Sequence, residues 1–556
     1  MTLFVNNLYI YGMGNIVFVF IAFFILFSPA FAVLEIPNTQ PKVGAEQWKQ
    51  VLDSTWKGLK KRNIDAYSTG LVHRPKSETP GDAVSEGVGY GMLLALYADD
   101  QEYFDKIWAA GKRYMGSSCL TWRVNQNGGS TGDSGPASDA DEDIGLALIF
   151  ASKLVDKGKW KNTSESANYA SNAQSVIKCL FENQVYDWKL LLPGSWGRPQ
   201  VWDNGTINPG YFAPAWYRIF ADFDDDKSHT WMAMVDESYR VLGVNPVYDL
   251  GMVPDWTDIN GGFLRSGPGY NAYLAGNAFF KDAIRILWRI ANDYIWFKEP
   301  KAKTFLEKSL VFIKSKGDTS AANFYQLQGA NKGELVPKGD QWMQFNDSNN
   351  SNTWRYRREH SHLTVGQWLT VAMAVGTDDD KIAWSSKMAE FYDWENKVDF
   401  FGNAIDPTGG MEDTLHNEMY FDQFLAWFGV SLMSGTWVNV MDDYKGEDVE
   451  GITVQPFPEP EPPEPPEPPE PPEPPQSIKK NHIQYGIQIS KQSRILHLSS
   501  QSDVVWKIHN LQGKLLFSSN SRETSWNFGN FKGIVVVSAI GGSNAEQKVA
   551  RFLHTL

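Results

Sequence analysis

Apolar residues between positions 46 and 434 recur three or four places apart, and no other period persists over this region. This spacing places the apolar side chains on one face of a helix and predicts that this face is buried. The pattern predicts twelve helices, at 46–63, 87–98, 101–115, 140–156, 164–182, 212–223, 228–243, 278–296, 299–316, 363–376, 380–398 and 417–434. Four of the loops between them are long, at 116–138, 183–210, 244–277 and 317–362.

The alternation of short and long loops predicts how the helices are arranged. Twelve helices joined in this way are typical of six hairpins closed into a ring, an (α/α)6 barrel. In such a ring every second helix lies inside, and the inner helices run in the same direction. Their N-terminal ends and the long loops before them therefore share one face. Long loops in a compact helical domain are usually functional.

The predicted fourth helix begins with an acidic segment at 139–143. A structural interpretation is that Asp139 caps the helix and that Glu142, three residues later, completes a capping box. A calcium-binding loop is excluded, because Ile144 occupies the position where the EF-hand pattern requires glycine. The functional interpretation is that a carboxylate at the mouth of a buried helix belongs to an active site.

Two further inner helices carry a carboxylate near their N-termini, Glu86 in the second helix and Asp282 in the eighth. In the predicted ring, Glu86, Asp139 and Asp282 meet at one mouth. Hydrolysis of a glycosidic bond needs two carboxyl groups in different protonation states. Glu86 is the better candidate for the protonated acid, because Gly87, Val88 and a helix core flank it. Each acid taken alone is also explained as a favourable charge at a helix N-terminus.

Aromatic residues are concentrated in and beside the loops of the same predicted face: Trp122, Trp196, Trp202, Tyr211, Trp216, Trp256, Tyr420 and Phe421. Sugar rings stack on such side chains, and their hydroxyls bind polar groups nearby. Trp216 lies inside a helical run and is assigned to the core. The candidate substrate-binding residues are Arg285, Tyr90, Trp122, Trp196, Tyr211, Trp256, Tyr420 and Phe421.

Both ends of the chain differ from the helical region. An apolar run at 16–27, followed by Ala-Phe-Ala, predicts a signal peptide over 1–32, although no Lys or Arg precedes the run. The run is too short for a comfortable membrane span. Glu-Pro-Pro repeats predict a polyproline II spacer within a linker at 451–476. Alternating apolar residues predict a small all-β domain at 477–556, and the barrel domain is assigned to 33–450.

Composition narrows the function classes. The formal net charge of −14 argues against nucleic acid as a partner and fits a neutral polymer. The segment 477–556 is instead basic, with ten Lys and Arg against three Asp and Glu, which favours an anionic surface or secretion machinery as its partner. Cys119 and Cys179 allow one disulfide or a free buried pair. We expect no metal and no cofactor.

Five segments of the chain, in order, resemble glycoside hydrolase family 8 over roughly residues 45–437. The segment 137–144 is similar to the family signature. The segment 85–92, Ser-Glu-Gly-x-x-Tyr-Gly-Met, resembles the general-acid segment, and 282–285, Asp-Ala-x-Arg, resembles the general-base segment. Segments 211–217 and 253–256 also resemble the family.

The resemblance implies an (α/α)6 barrel that hydrolyses β-1,4-linked glycans with inversion. It implies that Glu86 is the proton donor, that Asp282 is the base activating water, and that Asp139 is a carboxylate of the central subsite. Arg285 would orient Asp282 or a sugar hydroxyl. An inverting pair leaves room for a water, so we expect the Glu86 and Asp282 carboxyl groups to lie about 6.5–9.5 Å apart.

The chain departs from the family pattern at four positions. Lys281 stands where a tyrosine usually precedes the base, and a cation in contact with Asp282 would lower the pKa of that carboxyl group. Val88 and Gly89 replace Gln and Ser in the acid segment, and Gly145 replaces Ala in the signature.

The basic segment 477–556 resembles the β-sandwich tails that serve type IX secretion or surface attachment. A carbohydrate-binding module is the alternative for this segment. In that alternative, Trp506 and Trp526 are the candidate sugar platforms.

The sequence therefore predicts a secreted or cell-surface endo-β-1,4-glucanase that acts on cellulose, carboxymethylcellulose or mixed-linkage β-glucan. An endo-β-1,4-xylanase or xylo-oligosaccharide hydrolase is the alternative within the same chemistry, and a chitosanase is less favoured. A non-catalytic glycan-binding barrel is disfavoured because all three carboxylates are retained. A terpene cyclase, which would use the acidic segment as a proton donor, is disfavoured by the export signal and the aromatic, polar loops.

Overall fold

The structure is a computed structural model that describes residues 34, 42–75, 79–132, 134–194, 197, 205–264, 278–280, 282–317, 325–330, 332–335, 362–393, 398–399, 420–442, 451, 488–492, 495–499, 505–510, 515–527, 534–541 and 548–555. The chain divides into two compact units, Met1–Glu461 and Pro462–Leu556, and each is described by itself. The division falls inside the predicted linker. The predicted signal peptide and most of that linker lie outside the described residues.

The described part of the first unit is built from the twelve predicted helices. They are α1 (Ala45–Leu59), α2 (Ser85–Tyr97), α3 (Gln101–Tyr114), α4 (Ser138–Asp156), α5 (Tyr169–Gln184), α6 (Pro214–Phe223), α7 (Trp231–Val244), α8 (Ile286–Phe297), α9 (Pro300–Lys316), α10 (His362–Val375), α11 (Asp378–Ala389) and α12 (Tyr420–Met433). The helical content predicted from the apolar spacing is therefore confirmed.

The even-numbered helices contact one another in a closed cycle. In this cycle α2 packs against α4, α4 against α6, α6 against α8, α8 against α10, α10 against α12, and α12 against α2. The odd-numbered helices pack outside this cycle, for example α3 on α2, α5 on α4 and α7 on α6. Because α2, α10 and α12 are buried on nearly every side, their sequences are apolar all round.

Glycines let the backbones of α10 and α12 approach each other closely. A Cβ atom added at Gly429 of α12 would collide with the carbonyl oxygen of Gly366 in α10. A Cβ atom added at Gly366 would lie 2.9 Å from the Cα of Ala426. Side chains at these two positions would force the helices apart.

The first unit also contains short antiparallel strands, which the sequence pattern did not predict. They are β1 (His73–Arg74), β2 (Asp82–Val84), β3 (Arg123–Val124), β4 (Val185–Tyr186), β5 (Leu190–Leu191), β6 (Ala278–Phe279), β7 (Tyr325–Gln326), β8 (Tyr392–Asp393) and β9 (Val398–Asp399). Two or three residues are too few to show an alternating pattern. Two predicted helices are correspondingly shorter: 278–296 begins as β6, and 380–398 ends at Ala389.

Every described residue of the second unit lies in a strand or in the turn at 520–522. The strands are β10 (Gln488–Gln492), β11 (Ile495–Ser499), β12 (Val505–Asn510), β13 (Leu515–Ser519), β14 (Glu523–Asn527), β15 (Ile534–Gly541) and β16 (Lys548–Thr555). They form two antiparallel sheets, ordered β10-β11-β14 and β13-β12-β15-β16. Trp506 is fully buried and donates from Nε1 to the carbonyl oxygen of Ser521 (3.0 Å), so it is a core residue and not a sugar platform.

Cys119 and Cys179 form a disulfide that ties the loop before α4 to helix α5. The sequence left this pairing open. Among the residues that the structure describes, no helix combines the length and apolar character needed to cross a bilayer.

Candidate active site

The three predicted carboxylates converge on one guanidinium group. Arg285 Nη1 lies 2.6 Å from Glu86 Oε2 and 2.8 Å from Asp139 Oδ2, while Nη2 lies 3.5 Å from Asp282 Oδ1. The side chains of Arg285 and Asp139 are nearly covered, whereas those of Glu86 and Asp282 are 16% and 20% exposed. Glu86 and Asp282 are therefore the two carboxylates that remain open to a ligand.

Each carboxylate is placed by the start of an inner helix. Strand β2 leads directly into α2, and Ser85 N donates to the carbonyl oxygen of Trp122 (2.9 Å), which fixes the turn that carries Glu86. Asp139 is the second residue of α4, one residue after Ser138. Asp282 precedes a single 3-10 turn, Ala283–Arg285, which continues into α8. The three carboxylates converge because they lie at the N-terminal ends of inner helices, which were predicted to share one face.

The predicted capping box at α4 is wrong. The N-cap residue is Ala137, and no side chain caps this helix. Asp139 instead pairs with Arg285, and Glu142 Oε2 accepts a hydrogen bond from Tyr217 Oη (3.1 Å). Tertiary partners outcompete local capping here because these acids are buried, and a buried carboxylate without a cation or donor is costly.

The other acids of the segment 139–143 are structural. Asp141 accepts from Leu120 N (3.0 Å) and from Gln184 Nε2 (2.6 Å), next to the disulfide. Burial raises the pKa of Asp141 to about 8. Asp141 lies in the same turn as Asp139. Through its two hydrogen bonds it links this turn to the loop before α4 and to the end of α5.

A second arginine lies one helical turn below Arg285. Arg289 forms a bidentate pair with Asp143, with distances of 2.5 and 2.8 Å, and lies 3.4 Å from Glu142. Trp216 Nε1 also donates to Asp143 (2.8 Å), which confirms that Trp216 is a core residue. Two successive ion pairs therefore join α4 to the segment that forms α8: Arg285 with Asp139, and Arg289 with Asp143. Arg289 was not predicted from the sequence, although its spacing of four from Arg285 matches that of Asp139 and Asp143.

Glu86 is held in its protonated form near neutral pH. Burial raises the pKa of Glu86 to about 8, with a further upward contribution from Asp139 and Asp282 and an opposing one from Arg285. Tyr420 Oη donates a hydrogen bond to Glu86 Oε1. A carboxyl group that is protonated at pH 7 and lies 16% exposed can supply a proton to a bound ligand.

Two of the predicted aromatic residues lie against the guanidinium of Arg285. The guanidinium carbon lies 4.6 Å from the ring centre of Tyr211 and 5.5 Å from that of Phe421. Tyr420 completes the group through its contact with Glu86. These rings shield the charges from water and therefore strengthen the interactions among them.

Two other predicted aromatics are placed differently from expectation. Tyr90 is fully buried beneath the site, packed edge-on against Phe428 with ring centres 5.2 Å apart, so it does not lie where a sugar could contact it. Trp256 is 8% exposed, which leaves little of its ring for stacking. Trp122 is partly exposed and contacts Arg123. Trp196, Trp202 and Lys281 lie outside the described residues.

Two residues that the sequence analysis did not single out hold Asp282 in place. Asn208 Nδ2 donates to Asp282 Oδ2 (3.3 Å). Asp255 Oδ1 accepts from the backbone N–H groups of Phe280 (3.0 Å) and Ala283 (2.9 Å), on either side of Asp282. Asp255 lies within the segment 253–256 noted above, so that resemblance was the available signal.

Two departures from the family pattern have a packing reason. A Cβ atom at Gly89 would lie 2.9 Å from the Cβ of Asp143, and one at Gly145 would lie 2.8 Å from Ile177 Cγ2. Glycine at both positions lets neighbouring helices approach α4 closely. Among the described residues, no group of three or more His, Cys, Asp or Glu side chains is arranged to hold a metal ion.

Comparison with known proteins shows similarity over the helical unit. The family described as glycosyl hydrolases family 8 matches residues 44–325. Endoglucanase 2 of Ruminiclostridium josui is 37% identical over 287 residues, which are 50% of this chain and 58% of that protein. Endoglucanase C of Ruminiclostridium cellulolyticum is 36% identical over 290 residues, which are 51% of this chain and 57% of that protein. The chain thus spans less than two thirds of these relatives.

More distant similarity extends to proteins with other names. A reducing-end xylose-releasing exo-oligoxylanase of Paenibacillus barcinonensis is 24% identical over 316 residues, covering 53% of this chain and 79% of that protein. The solved structure of a β-1,3-1,4-glucanase from Paenibacillus sp. X4 has a TM-score of 0.55 at 18% identity, covering 74% of this chain and 98% of that chain. At this identity the structural match shows a shared fold alone.

Proposed function

Because the chain belongs to glycosyl hydrolase family 8, we propose that it is an inverting, endo-acting glycoside hydrolase that cleaves β-1,4-glucan. The observation that carries the proposal is the convergence of Glu86, Asp139 and Asp282 on Arg285, with the pKa of Glu86 raised to about 8. We also infer that the closed cycle of six inner helices is the (α/α)6 barrel predicted from the loop pattern.

Two carboxyl groups with separate tasks support this mechanism. Glu86, protonated at neutral pH, donates its proton to the leaving glycosidic oxygen. Asp282, oriented by Asn208 and 20% exposed, accepts a proton from the water that attacks the anomeric carbon from the opposite side. Attack on the opposite face inverts the configuration, so the product is the α-anomer.

Asp139 and Arg285 would position the sugar at the point of cleavage. Asp139 Oδ1 is buried and has no hydrogen-bond partner among the described residues, while Oδ2 is bound to Arg285. A buried carboxylate oxygen without a donor favours a ligand hydroxyl. When a sugar is bound, Arg285 remains the cation shared by Glu86, Asp139 and Asp282.

Glucan is the proposed substrate because the two relatives with 37% and 36% identity are endoglucanases by name. Xylan is the second candidate, because an exo-oligoxylanase is also similar over a larger share of its own length. Glucose and xylose differ only in the substituent at C5, and the contacts to that substituent would come from loops.

The proposal is tested by hydrolysis of carboxymethylcellulose, mixed-linkage β-glucan, xylan and chitosan. We expect wild-type protein to cleave a glucan, and Glu86→Gln to lose roughly 10²-fold or more of kcat because the proton donor is removed. Glu307→Gln on the exposed surface of α9 is the matched control and should keep wild-type activity. Cleavage of xylan alone would replace glucan by xylan as the assigned substrate. Binding without any cleavage would favour a non-catalytic glycan-binding barrel.

We further propose that the protein is exported and that residues 477–556 attach it to a surface or engage secretion machinery. A disulfide at Cys119–Cys179 is typical of an oxidising compartment, and the basic charge of the segment fits an anionic surface. Fractionation of producing cells tests this proposal. Full-length protein should be found on the cell surface, and protein lacking 477–556 should be found in the medium or be retained inside. Identical distributions of both would contradict a role for this segment.

A further inference from the structure

The hairpin of β4 and β5 carries a tryptophan in a backbone conformation that favours glycine. Lys189 N donates to the carbonyl oxygen of Tyr186 (3.2 Å) and closes a turn around Asp187 and Trp188, whose φ angles are 49° and 59°. Positive φ at both central residues is typical of a type I′ turn, in which Asn, Asp and Gly predominate. A bulky residue with positive φ is strained, and such strain is retained where it serves a function.

Burial does not explain this tryptophan. The Trp188 side chain is 59% exposed, and in the part of the chain that the structure describes it is the only tryptophan among the exposed large apolar residues. A large apolar side chain that stays in water contributes little to folding through burial. The fold therefore carries the strain of this turn although most of the ring remains in water.

The exposed ring is nevertheless held in a fixed position. One side of Trp188 packs on Phe181, with ring centres 5.6 Å apart and an interplanar angle of 52°. Phe181 is itself stacked on His229 at 4.4 Å, which makes a firm base. The carbonyl oxygen of Trp188 accepts a hydrogen bond from Thr230 Oγ1, so the turn is also anchored through its backbone.

Two exposed charged residues are the sequence neighbours of Trp188 in this turn. Asp187 and Lys189 lie on either side of Trp188 in sequence, form an ion pair at 3.4 Å, and are 65% and 44% exposed. An ordered aromatic ring flanked by exposed acceptors and donors suits a sugar, which stacks one face and hydrogen-bonds through its hydroxyls. A single exposed ring with charged neighbours lacks the continuous apolar area of a protein-docking patch.

The hairpin is connected to the candidate active site through the chain that follows it. The carbonyl oxygens of Leu192 and Pro193, directly after β5, accept hydrogen bonds from Ser138 Oγ (2.6 Å) and Ser138 N (3.3 Å). Ser138 precedes Asp139. We propose that Trp188, with Asp187 and Lys189, forms a secondary glycan-binding site that holds a β-glucan chain outside the cleft; the choice of β-glucan rests on the proposed function.

The site is tested by affinity electrophoresis of the full-length protein in gels that contain mixed-linkage β-glucan or carboxymethylcellulose. Glu86→Gln, which does not consume the polymer, is compared with Glu86→Gln/Trp188→Gly, so the cleft is the same in both. We expect the second variant to show a dissociation constant about three- to tenfold higher, the range that loss of one aromatic stacking contact gives. Val311→Ala, which trims another exposed apolar side chain on α9, should leave retardation unchanged.

Thermal unfolding separates a binding role from a structural one. Glycine suits the positive φ at position 188, so Trp188→Gly should unfold at the same temperature or higher while it binds glucan more weakly. Equal retardation of the two Glu86→Gln proteins, or a lower unfolding temperature accompanying the weaker binding, would overturn the secondary site. Wild-type protein that cuts no glucan but shows Trp188-dependent retardation would overturn the proposed function and leave this site standing.

Discussion

At the scale of single residues, the environment of Glu86 decides what the site can do. Burial and two neighbouring carboxylates favour the protonated form, while Arg285 favours the ionised form, and the pKa of about 8 is the net result. A hydrogen bond from Tyr420 to Glu86 also favours the ionised form, because a hydroxyl donor stabilises the charge. The acid is therefore tuned by contacts that can be removed one at a time.

The pH dependence of activity follows from this tuning. Glu86 acts when protonated, so we expect kcat/KM to fall as pH rises through about 8, by up to tenfold for each further pH unit. The measurement is a pH profile on a neutral glucan. An alkaline limb that begins well below pH 7 would show that Glu86 is not held protonated in the free enzyme.

Tyr420→Phe should move this alkaline limb in a defined direction. Removal of the donor destabilises the ionised carboxylate, so the pKa of Glu86 rises and the limb moves to higher pH by up to about one unit. Tyr186→Phe, on the hairpin of β4 and β5, is a control that should not move it. A shift to lower pH in Tyr420→Phe would contradict the assigned hydrogen bond.

At the scale of helices, the cycle depends on close approach between α10 and α12. Gly429 faces the backbone of Gly366, and no side chain fits between them. Overpacking of a close contact is destabilising because the surrounding helices must move. The same reasoning applies at Gly89 and Gly145, where α2 and α5 approach α4.

Gly429→Ala should lower the free energy of unfolding by about 1–3 kcal/mol or more, as measured by urea denaturation. Gly243→Ala is the matched control, because it is also helical and an added Cβ atom meets nothing within 4 Å. The control should be neutral or stabilising by up to about 1 kcal/mol. Equal effects of both substitutions would show that α10 and α12 are not in direct backbone contact.

At the scale of the whole helical unit, the disulfide restrains the segment between its two cysteines. Cys119 and Cys179 are 60 residues apart, and a loop of this length gives about 4 kcal/mol in the chain-entropy account of cross-links. The bond also lies beside Asp141, which connects the disulfide to the turn bearing Asp139.

Cys119→Ser/Cys179→Ser should therefore unfold at a markedly lower temperature than the oxidised wild type, with a loss of up to about 4 kcal/mol. Wild-type protein treated with a reductant should approach the same value, which controls for the effect of the serines themselves. If neither the double substitution nor the reductant lowers the unfolding temperature, the disulfide is not formed.

The apolar spacing predicted all twelve helices, because long amphipathic or buried helices carry a strong periodic signal. It also placed Glu86, Asp139 and Asp282 on inner helices. The prediction of a capping box was wrong because Glu142 instead contacts Tyr217 and Arg289, which are distant in sequence. The position of Tyr90 was missed because aromatic residues in a helix give no sign of which face is buried when the helix is apolar all round.

The anomeric form of the first product released from the glucan tests the central claim most directly. NMR of the initial products, recorded before mutarotation, distinguishes the two forms. A Glu86 acid and an Asp282 base on opposite sides of the bond predict the α-anomer. Initial release of the β-anomer would contradict the account, because it would require one of the carboxylates to attack the sugar itself.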